Sequence, residues 1–540
     1  MPDDHPAKIS SKNDGRAWTV VLAVVIGVTL LRLLWLALLS PLTLIEDEAH
    51  YWEWSRRLDW SYYSKGPGVG WLIALSTSLL GDNEFGVRAP AAIWAAIGAV
   101  GSAGLARSVF RDRRVLLPAA VCWLAIPAFQ PLAVLMTIDG PYVACYTLAA
   151  WAAWHALTRR SGPAWLGLGA CFALAFIFKY TAALIPPALL AFALLRPRRL
   201  RPAGAGWIAA GMLLGLAGLA PVIIWNAQHD WDSLRHLLGH LGVEGGDVRP
   251  SSGDGRGWSP LWPLEYLGIA IGAGSPTLLL ALMGMRNAAI ARRERRPRGI
   301  RGGVTYLLCL SLAPLAFYAV ISLFTRVEAN WHISAYGPLA ALAGWAAVEG
   351  AARRDAGVRV AWHACVITLA VCLLALPAIT IARATAFDPP LVPLGRASGM
   401  RELSSAADDR LRTLREETGL EPFVMTIHYG RASQLAFYLQ GRPTTYASSS
   451  HFGDGRRTQY DIWEATDLAR LDVNQRLLDR PALLFSGVRR DWERVFERVE
   501  PIDPLPGENK PDRQAFVAYG FRGFPPDLGG PDGLTRESAP

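Results

Sequence analysis

From Trp18 to about Pro390 the chain alternates apolar stretches with short polar breaks, and each stretch is near the ~20 residues that a bilayer-crossing helix needs. Eleven are legible, at roughly 18–40, 86–108, 115–131, 140–157, 164–179, 181–196, 206–226, 262–285, 304–324, 333–350 and 360–383. Pro127, Pro186, Pro187 and Pro314 lie in or near them, which a bundle tolerates because neighbouring helices satisfy the freed backbone groups. The first stretch is too long for a signal core and no small-x-small cleavage pattern follows it, so it is expected to stay as an anchor. After about Ala384 charges become frequent and apolar runs shorten. Met400–Gly419 reads as an amphipathic helix ended by its glycine, and Gly430–Gly441 as a second helix. Phe423–His428, Ala482–Phe485 and Gln514–Tyr519 read as strands. The expected fold is an α-helical polytopic membrane protein of about eleven transmembrane helices (residues 1–383), then a C-terminal α/β domain (residues 384–540) with a Gly/Pro-rich, disordered end.

Composition agrees: 52% of the residues are hydrophobic and only 18% charged, too few charges for a soluble chain of this length. The net charge of +9 has a topological reading. Arg111, Arg113 and Arg114, then Arg159 and Arg160, Arg196–Arg201, Arg292–Arg298, and Arg353 with Arg354 fill one set of loops. The alternate loops carry Glu46, Asp47, Glu48, Asp139, Asp230, Asp232, Asp247, Asp254 and Glu328. The positive-inside rule puts the arginine loops in the cytoplasm and the acidic loops and tail outside a cell inner (plasma) membrane, so the charge gives no reason to invoke nucleic acid. The six cysteines all lie in apolar stretches without a C-x-x-C, which leaves no disulfide framework and no thiolate zinc site.

The polar breaks hold the candidate chemistry. Glu46-Asp47-Glu48 follows the first apolar stretch, and carboxylates at a membrane exit are natural only where they line a polar cavity. A single acid there would read as a helix N-terminal charge; three together favour function. Lys65, beside Tyr62 and Tyr63, is a snorkelling lysine on the bland reading and a point charge for a phosphate on the functional one. Asp139 lies in a very short outer loop, where an N-cap role and a site role are compatible. Lys179 ends the fifth stretch, and Glu328-Ala329-Asn330-Trp331-His332 forms another outer polar cluster, with Trp331 also suited to the interface belt. His229, Asp232, His236 and His240 would share one face of a continuous helix, which allows a metal site, although polar residues at helical spacing more often make a solvated face. Gly245–Gly257 lacks the G-K-[ST] of a phosphate loop and reads as linker.

The motif order resembles the polytopic C-type glycosyltransferases that use polyprenyl-phosphate-linked sugars, a superfamily that includes the lipid A aminoarabinose transferases, the lipopolysaccharide-core galacturonosyl transferases and the protein O-mannosyltransferases. The resemblance is carried by Asp47-Glu48-Ala49 with Tyr51-Trp52 and Trp54-Ser55, by Tyr62-x-x-Lys65-x-Pro67 with Trp71-Leu72, and by Asn83-Glu84-Phe85 with Arg88-x-Pro90. It continues through Asp139, Trp225-Asn226, Gln228-His229-x-Trp231-x-Ser233, and in the tail through Ser433-x-Leu435-Ala436-Phe437-Tyr438-Leu439 and Gly441-x-Pro443. Gly66 and Gly68 stand where the family usually has a second proline and a leucine, and Ser64 where some members have an acid. The resemblance implies an inverting transfer of a sugar from a polyprenyl-phosphate donor to a lipid A, glycan or protein acceptor outside the cytoplasm. It implies Asp47 as the base, with Glu48, Tyr62, Lys65, Asp139, Lys179, Glu328 and Asn330 binding substrate. Beyond the lipid-linked sugar as donor substrate no cofactor is assigned, and no residue is assigned to a metal. A transporter or flippase for a lipid-linked sugar is the alternative; acids at the outer mouth rather than mid-bilayer, and the absence of an inverted repeat, weigh against it.

Overall fold

The computed structural model describes residues 11–240, 259–293, 299–385, 394–452, 457–508 and 514–524. In chain order the helices are α1 (Ser11–Leu38), α2 (Glu46–Ser55), α3 (Gly68–Leu80), α4 (Glu84–Phe110), α5 (Leu116–Leu124), α6 (Asp139–Thr158), α7 (Gly162–Phe178) and α8 (Ile185–Leu195). They continue as α9 (Ala205–Ala217), α10 (Ala220–Gln228), α11 (Asp232–His240), α12 (Trp262–Gly274), α13 (Thr277–Arg293), α14 (Gly299–Ile321), α15 (Tyr336–Ala352) and α16 (Ala356–Ala384). Then follow α17 (Met400–Thr418), β1 (Phe423–Thr426), α18 (Tyr429–Tyr438), β2 (Thr445–Ala447), α19 (Leu471–Leu477), β3 (Ala482–Phe485), α20 (Arg489–Trp492), β4 (Phe496–Ile502) and β5 (Ala515–Phe521). The chain forms two compact units, one from residues 1–40, 88–223 and 258–380, the other from 41–87, 224–257 and 381–540.

Among the described residues five helical segments are long and apolar enough to cross a membrane: Asp14–Leu38, Glu84–Phe110, Ala205–Gln228, Ile300–Ile321 and Ala356–Ala384. Two bent pairs, Arg113–Leu124 with Pro127–Ala133 (69°) and Trp262–Gly274 with Thr277–Ile290 (90°), raise the number to seven. Each bend falls at a proline, Pro127 or Pro276, which has no N–H to continue the helix. The apolar helices α7 and α8 are shorter.

The first unit is a helix bundle whose helices divide into two kinds. On α1, Val20, Ile26, Leu30 and Leu34 are each at least half exposed, a face suited to lipid. By contrast α15 is buried from Tyr336 to Ala347 and is mostly Ala and Gly along that run. Its small residues let backbones close up: a methyl group on Gly344 would lie 2.5 Å from the Ala119 nitrogen. The same device joins α7 to α9, where a Cβ on Gly169 would collide with the Gly211 carbonyl oxygen. Arg32, buried within α1, donates to Gln130 Oε1 at 2.8 Å.

The second unit is built on a five-stranded sheet in the order β2-β1-β3-β5-β4. Strands β2, β1 and β3 are parallel, and β5 runs antiparallel to both β3 and β4. The register pairs Val424 with Leu483 and Leu484 with Phe516. Alternation then sends Met425, Leu484 and Phe516 to one core with Trp492, and Val424, Leu483 and Val517 to another with Leu403, Ala407 and Leu435 of α17 and α18. Strands β1 and β3 are buried on both faces, which is why they read as apolar runs, broken only by Thr426 at the end of β1. Helix α17 buries Met400, Leu403, Ser404, Ala407 and Leu414, the stripe its periodicity predicts, and ends at Gly419, whose φ of 70° is left-handed. Asp247, Asp254, the linker Gly245–Gly257 and the tail from Pro525 lie outside the described residues.

Candidate active site

In the second unit, α2 separates the three adjacent acids. Glu48 is fully buried and its Oε2 accepts the Ile45 N–H at 3.1 Å, so it satisfies one of the orphan donors at the helix start. Ile45, at the N-cap, has no side-chain acceptor to return the favour. Glu46 is half-buried, with Oε2 3.7 Å from His428 Nδ1. Asp47 is the exposed one. Its helix is held against α18 so closely that a Cβ on Gly430 would lie 2.5 Å from Glu46 Cβ.

One turn on, His50 locks that contact. Trp54 Nε1 donates to His50 Nε2 (3.2 Å), so the ring proton is on Nδ1 and goes to Ser433 Oγ (3.1 Å). Ser433 in turn donates to Tyr429 O (2.9 Å) and lies 3.0 Å from the Tyr460 hydroxyl. The imidazole sits among the rings of Trp54, Tyr429, Tyr460 and Trp463. Burial pushes the Tyr460 hydroxyl well above its ordinary pKa. Glu53, also buried, holds Arg56 at 2.9 Å and pairs with Arg57.

The lysine loop is a fixed turn. Lys65 O accepts from Tyr62 N and Ser61 Oγ, both at 3.1 Å, while the Lys65 residue is half-buried. Tyr62 is fully buried, stacks on Trp54 at 4.2 Å, and donates to Trp54 O at 2.9 Å. That burial raises its pKa, so the hydroxyl stays neutral. Against the expectation of a phosphate ligand, its hydroxyl points into the protein, at the Trp54 and Arg57 carbonyls. Glu48 likewise faces a backbone N–H. Tyr63 N donates to Gln459 Oε1 at 2.6 Å and Ser233 Oγ to Tyr62 O at 3.2 Å, completing the frame.

In the first unit a second constellation forms from three residues that the sequence singles out separately. Asp139, at the start of α6, accepts from Lys179 Nζ on Oδ1 (2.7 Å) and from Asn330 Nδ2 on Oδ2 (2.8 Å). Lys179 Nζ also donates to Asn330 O (2.8 Å) and stands 5.7 Å from the Tyr142 ring. The pair is dry: the side chains are 10% and 4% exposed for Lys179 and Asp139. Glu328 is exposed on the same loop as Asn330.

His332, two residues from Asn330 and part of the same outer polar cluster, is fully buried, and the sequence assigns it no role of its own. The Tyr336 hydroxyl donates to Ala270 O (2.7 Å), so His332 Nε2 must carry the proton and donate to Tyr336 Oη (2.9 Å). Nδ1 is then a buried lone pair with no hydrogen-bond partner among the described residues. Burial, with Lys179 nearby, pushes the ring pKa down to about 4. The depressed value has a sign. Stability from the neutral ring is full above the unfolded pKa near 6.5 and falls as pH drops toward 4, by roughly 3 kcal/mol. Acid titration of the unfolding midpoint should show this slope, and His332→Gln should flatten it; an unchanged slope would remove His332 from the account.

The shared helical face read for His229, Asp232, His236 and His240 does not form. Positive φ at Asp230 (50°) and Trp231 (60°) ends α10 and restarts the chain as α11, which turns His229 away from the rest. His229 stacks on Trp225 at 4.0 Å, Asp232 pairs with Arg457 at 3.3 Å, and His236 packs on Tyr63 at 4.7 Å. Among the described residues no group of three His, Cys, Asp or Glu is placed to hold a metal ion.

Residues 64–225 match the family model described as dolichyl-phosphate-mannose-protein mannosyltransferase. The chain is 28% identical over 333 residues to the lipid A galacturonosyltransferase RgtD of Rhizobium johnstonii, 60% of this chain and 64% of that one. It is 27% identical over 265 residues to undecaprenyl phosphate-alpha-4-amino-4-deoxy-L-arabinose arabinosyl transferase 1 of Pseudomonas fluorescens, 48% of this chain and 46% of that one. The matches thus span less than two thirds of these relatives' length. In fold the chain is similar to ArnT from Cupriavidus metallidurans, with TM-score 0.60 to its undecaprenyl-phosphate-bound crystal structure (16% identity, 95% of this chain, 99% of that one) and 0.56 to the apo form (16%, 96% and 100%). The fold is that of a polytopic, mostly helical membrane protein. The chain is similar in sequence and fold to the polyprenyl-phosphate-dependent C-type glycosyltransferases of the aminoarabinose transferase and protein mannosyltransferase superfamily, as its first outer loop implies.

Proposed function

We propose that this protein is a membrane glycosyltransferase that moves a sugar from a polyprenyl-phosphate carrier to an acceptor on the extracytoplasmic face. The observation that carries the reading is the division of labour on α2: Glu48 is buried as a cap while its neighbour Asp47 is exposed at the start of the same rigid helix. The named relatives, a lipid A galacturonosyltransferase and aminoarabinose transferases, support a lipid-linked donor and lipid A as the first acceptor to try; other glycans and protein follow. In the proposed step the acceptor hydroxyl or amine attacks the anomeric carbon and the polyprenyl phosphate leaves with inversion. Asp47 takes the acceptor proton. Lys65 stabilises the negative charge on the leaving phosphate, and the buried Tyr62 contributes by holding the lysine loop in shape. Asp139, Lys179 and Asn330 act as one hydrogen-bonded group toward substrate, with the exposed Glu328 on the adjoining loop.

The same proposal includes eleven membrane crossings in an inner (plasma) membrane, a transferase portion at 1–383, and a tail at 384–540 on the outer side, following the arginine-rich loops. Purified protein given a labelled polyprenyl-phosphate sugar and lipid A should yield labelled lipid A. Passage of the lipid across a vesicle membrane without transfer would instead make it a flippase.

Lys65→Ala tests the phosphate assignment. A charge-assisted hydrogen bond is worth about 1.5–3 kcal/mol, so apparent donor affinity should fall by roughly 10- to 100-fold. Assays over a range of donor concentrations, repeated over a range of acceptor, read this directly. Loss of acceptor dependence with donor dependence intact would move Lys65 to the acceptor.

A further inference from the structure

In the second unit the end of the first polar region meets the polar face of α17 around a cavity of about 450 Å³. Its wall carries carboxylates from Asp82, Glu84 and Asp408 and guanidinium groups from Arg401 and Arg442. The charges are held in place before any ligand arrives. Arg442 pairs with the Asp82 carboxylate, donates to Asp82 O at 2.6 Å, and lies 5.2 Å from the Trp52 ring and 5.0 Å from the Phe437 ring. Trp52 Nε1 donates to Asp82 Oδ1 at 2.7 Å. Glu84 accepts from Arg401 and, at 3.1 Å, from the Tyr438 hydroxyl, which itself accepts Leu44 N–H at 2.7 Å. Both Asp408 oxygens accept the Gln440 N–H, at 3.1 and 3.2 Å, and desolvation raises that carboxyl's pKa.

A solvated set of surface ion pairs is the bland account, and isolated pairs of that kind do little. Here the pairs surround a concavity of the size that small ligands fill, and their geometry is fixed by neighbouring rings and backbone. The lining chooses the chemistry. Three carboxylates face two guanidiniums, both already paired, so an anion is disfavoured. A purely apolar ligand would strip water from all five charges. What fits is a compact molecule with many hydroxyls, each able to give to a carboxylate and accept from a guanidinium or amide.

We propose that this cavity is a saccharide-binding site that takes one neutral or amine-bearing sugar unit. Pre-fixed partners reduce the ordering cost of binding. The inference goes beyond the transferase reading, because sugar binding here requires neither Asp47 nor a lipid-linked donor.

Saturation-transfer NMR on the full-length protein in detergent tests it, with methyl galactoside and methyl glucosaminide as probes and inorganic phosphate as competitor. Both glycosides should receive saturation, and phosphate should not displace them. Asp408→Asn should weaken the signal by about fivefold, the loss of roughly one hydrogen bond. Ser405→Trp, at an exposed lining position, should abolish it by filling the cavity while leaving the unfolding midpoint unchanged. The signal should persist in Asp47→Asn. The proposal is overturned by absence of saturation, by equal signals in wild type and both cavity variants, by displacement with phosphate, or by loss of the signal in Asp47→Asn.

Discussion

Replacing Asp47 with asparagine should lower turnover by about 10²–10⁴ while leaving expression and thermal unfolding almost unchanged. The asparagine has the same shape and cannot take a proton. The residue is exposed, so an isosteric neutral replacement leaves the core untouched. The neighbours are controls of different kinds. Glu48→Gln keeps an oxygen for the Ile45 N–H and should change both activity and stability little, whereas Glu48→Ala removes a helix-start hydrogen bond and should cost about 1 kcal/mol of stability. Glu46→Gln should matter least to rate. These variants need a purified enzyme, a lipid-linked donor and a melting curve for each. An active Asp47→Asn enzyme beside an inactive Glu48→Gln enzyme that melts like wild type would transfer the proton-accepting role to Glu48; Asp139→Asn does not serve here, because it breaks a buried ion pair.

Lys179→Met should cause the largest loss of stability of any single change considered, about 3–5 kcal/mol, because it leaves the Asp139 carboxylate dry and without its ammonium. Asp139→Asn should do similar damage from the other side. The double variant Asp139→Asn with Lys179→Met removes both charges and should recover much of the loss, since replacing a buried pair by neutral groups is often tolerated. Unfolding of the three variants in detergent, combined as a double-mutant cycle, gives the coupling. Single-variant losses under about 1 kcal/mol would mean that the pair behaves as a solvent-exposed one.

Much of this site can be read from sequence because charges are conspicuous in apolar surroundings. Asp139, Lys179 and Asn330 each stand out alone. That they form one group does not, since 40 and 151 residues separate Lys179 from its two partners and only the packing of the bundle brings them together. Tyr62 shows the opposite error: a tyrosine beside a lysine invites a ligand role, yet the Trp54 ring that buries it lies eight residues earlier, across a turn that no periodicity predicts. His332 is hidden because a lone histidine has no spacing to reveal the hydroxyl that fixes its tautomer.

The fold divides the same way. The strands Phe423–Thr426 and Ala482–Phe485 are central, buried along their length and apolar apart from Thr426, so composition alone finds them. Strand β4 is an edge strand carrying Glu497, Arg498 and Glu500, the charges that guard an edge and disguise it as a loop. The histidine face fails at Asp230 and Trp231, two non-glycine residues whose left-handed backbone has no sequence signature.

The contact of Gly169 with Gly211 has a practical consequence for handling the protein. Lipid tails and detergent tails are both as oily as the helices, so swapping one for the other gives little reason for α7 and α9 to separate; what joins them is backbone lying on backbone. The bundle should therefore be forgiving of the solubilising agent and unforgiving of a single methyl group at this seam.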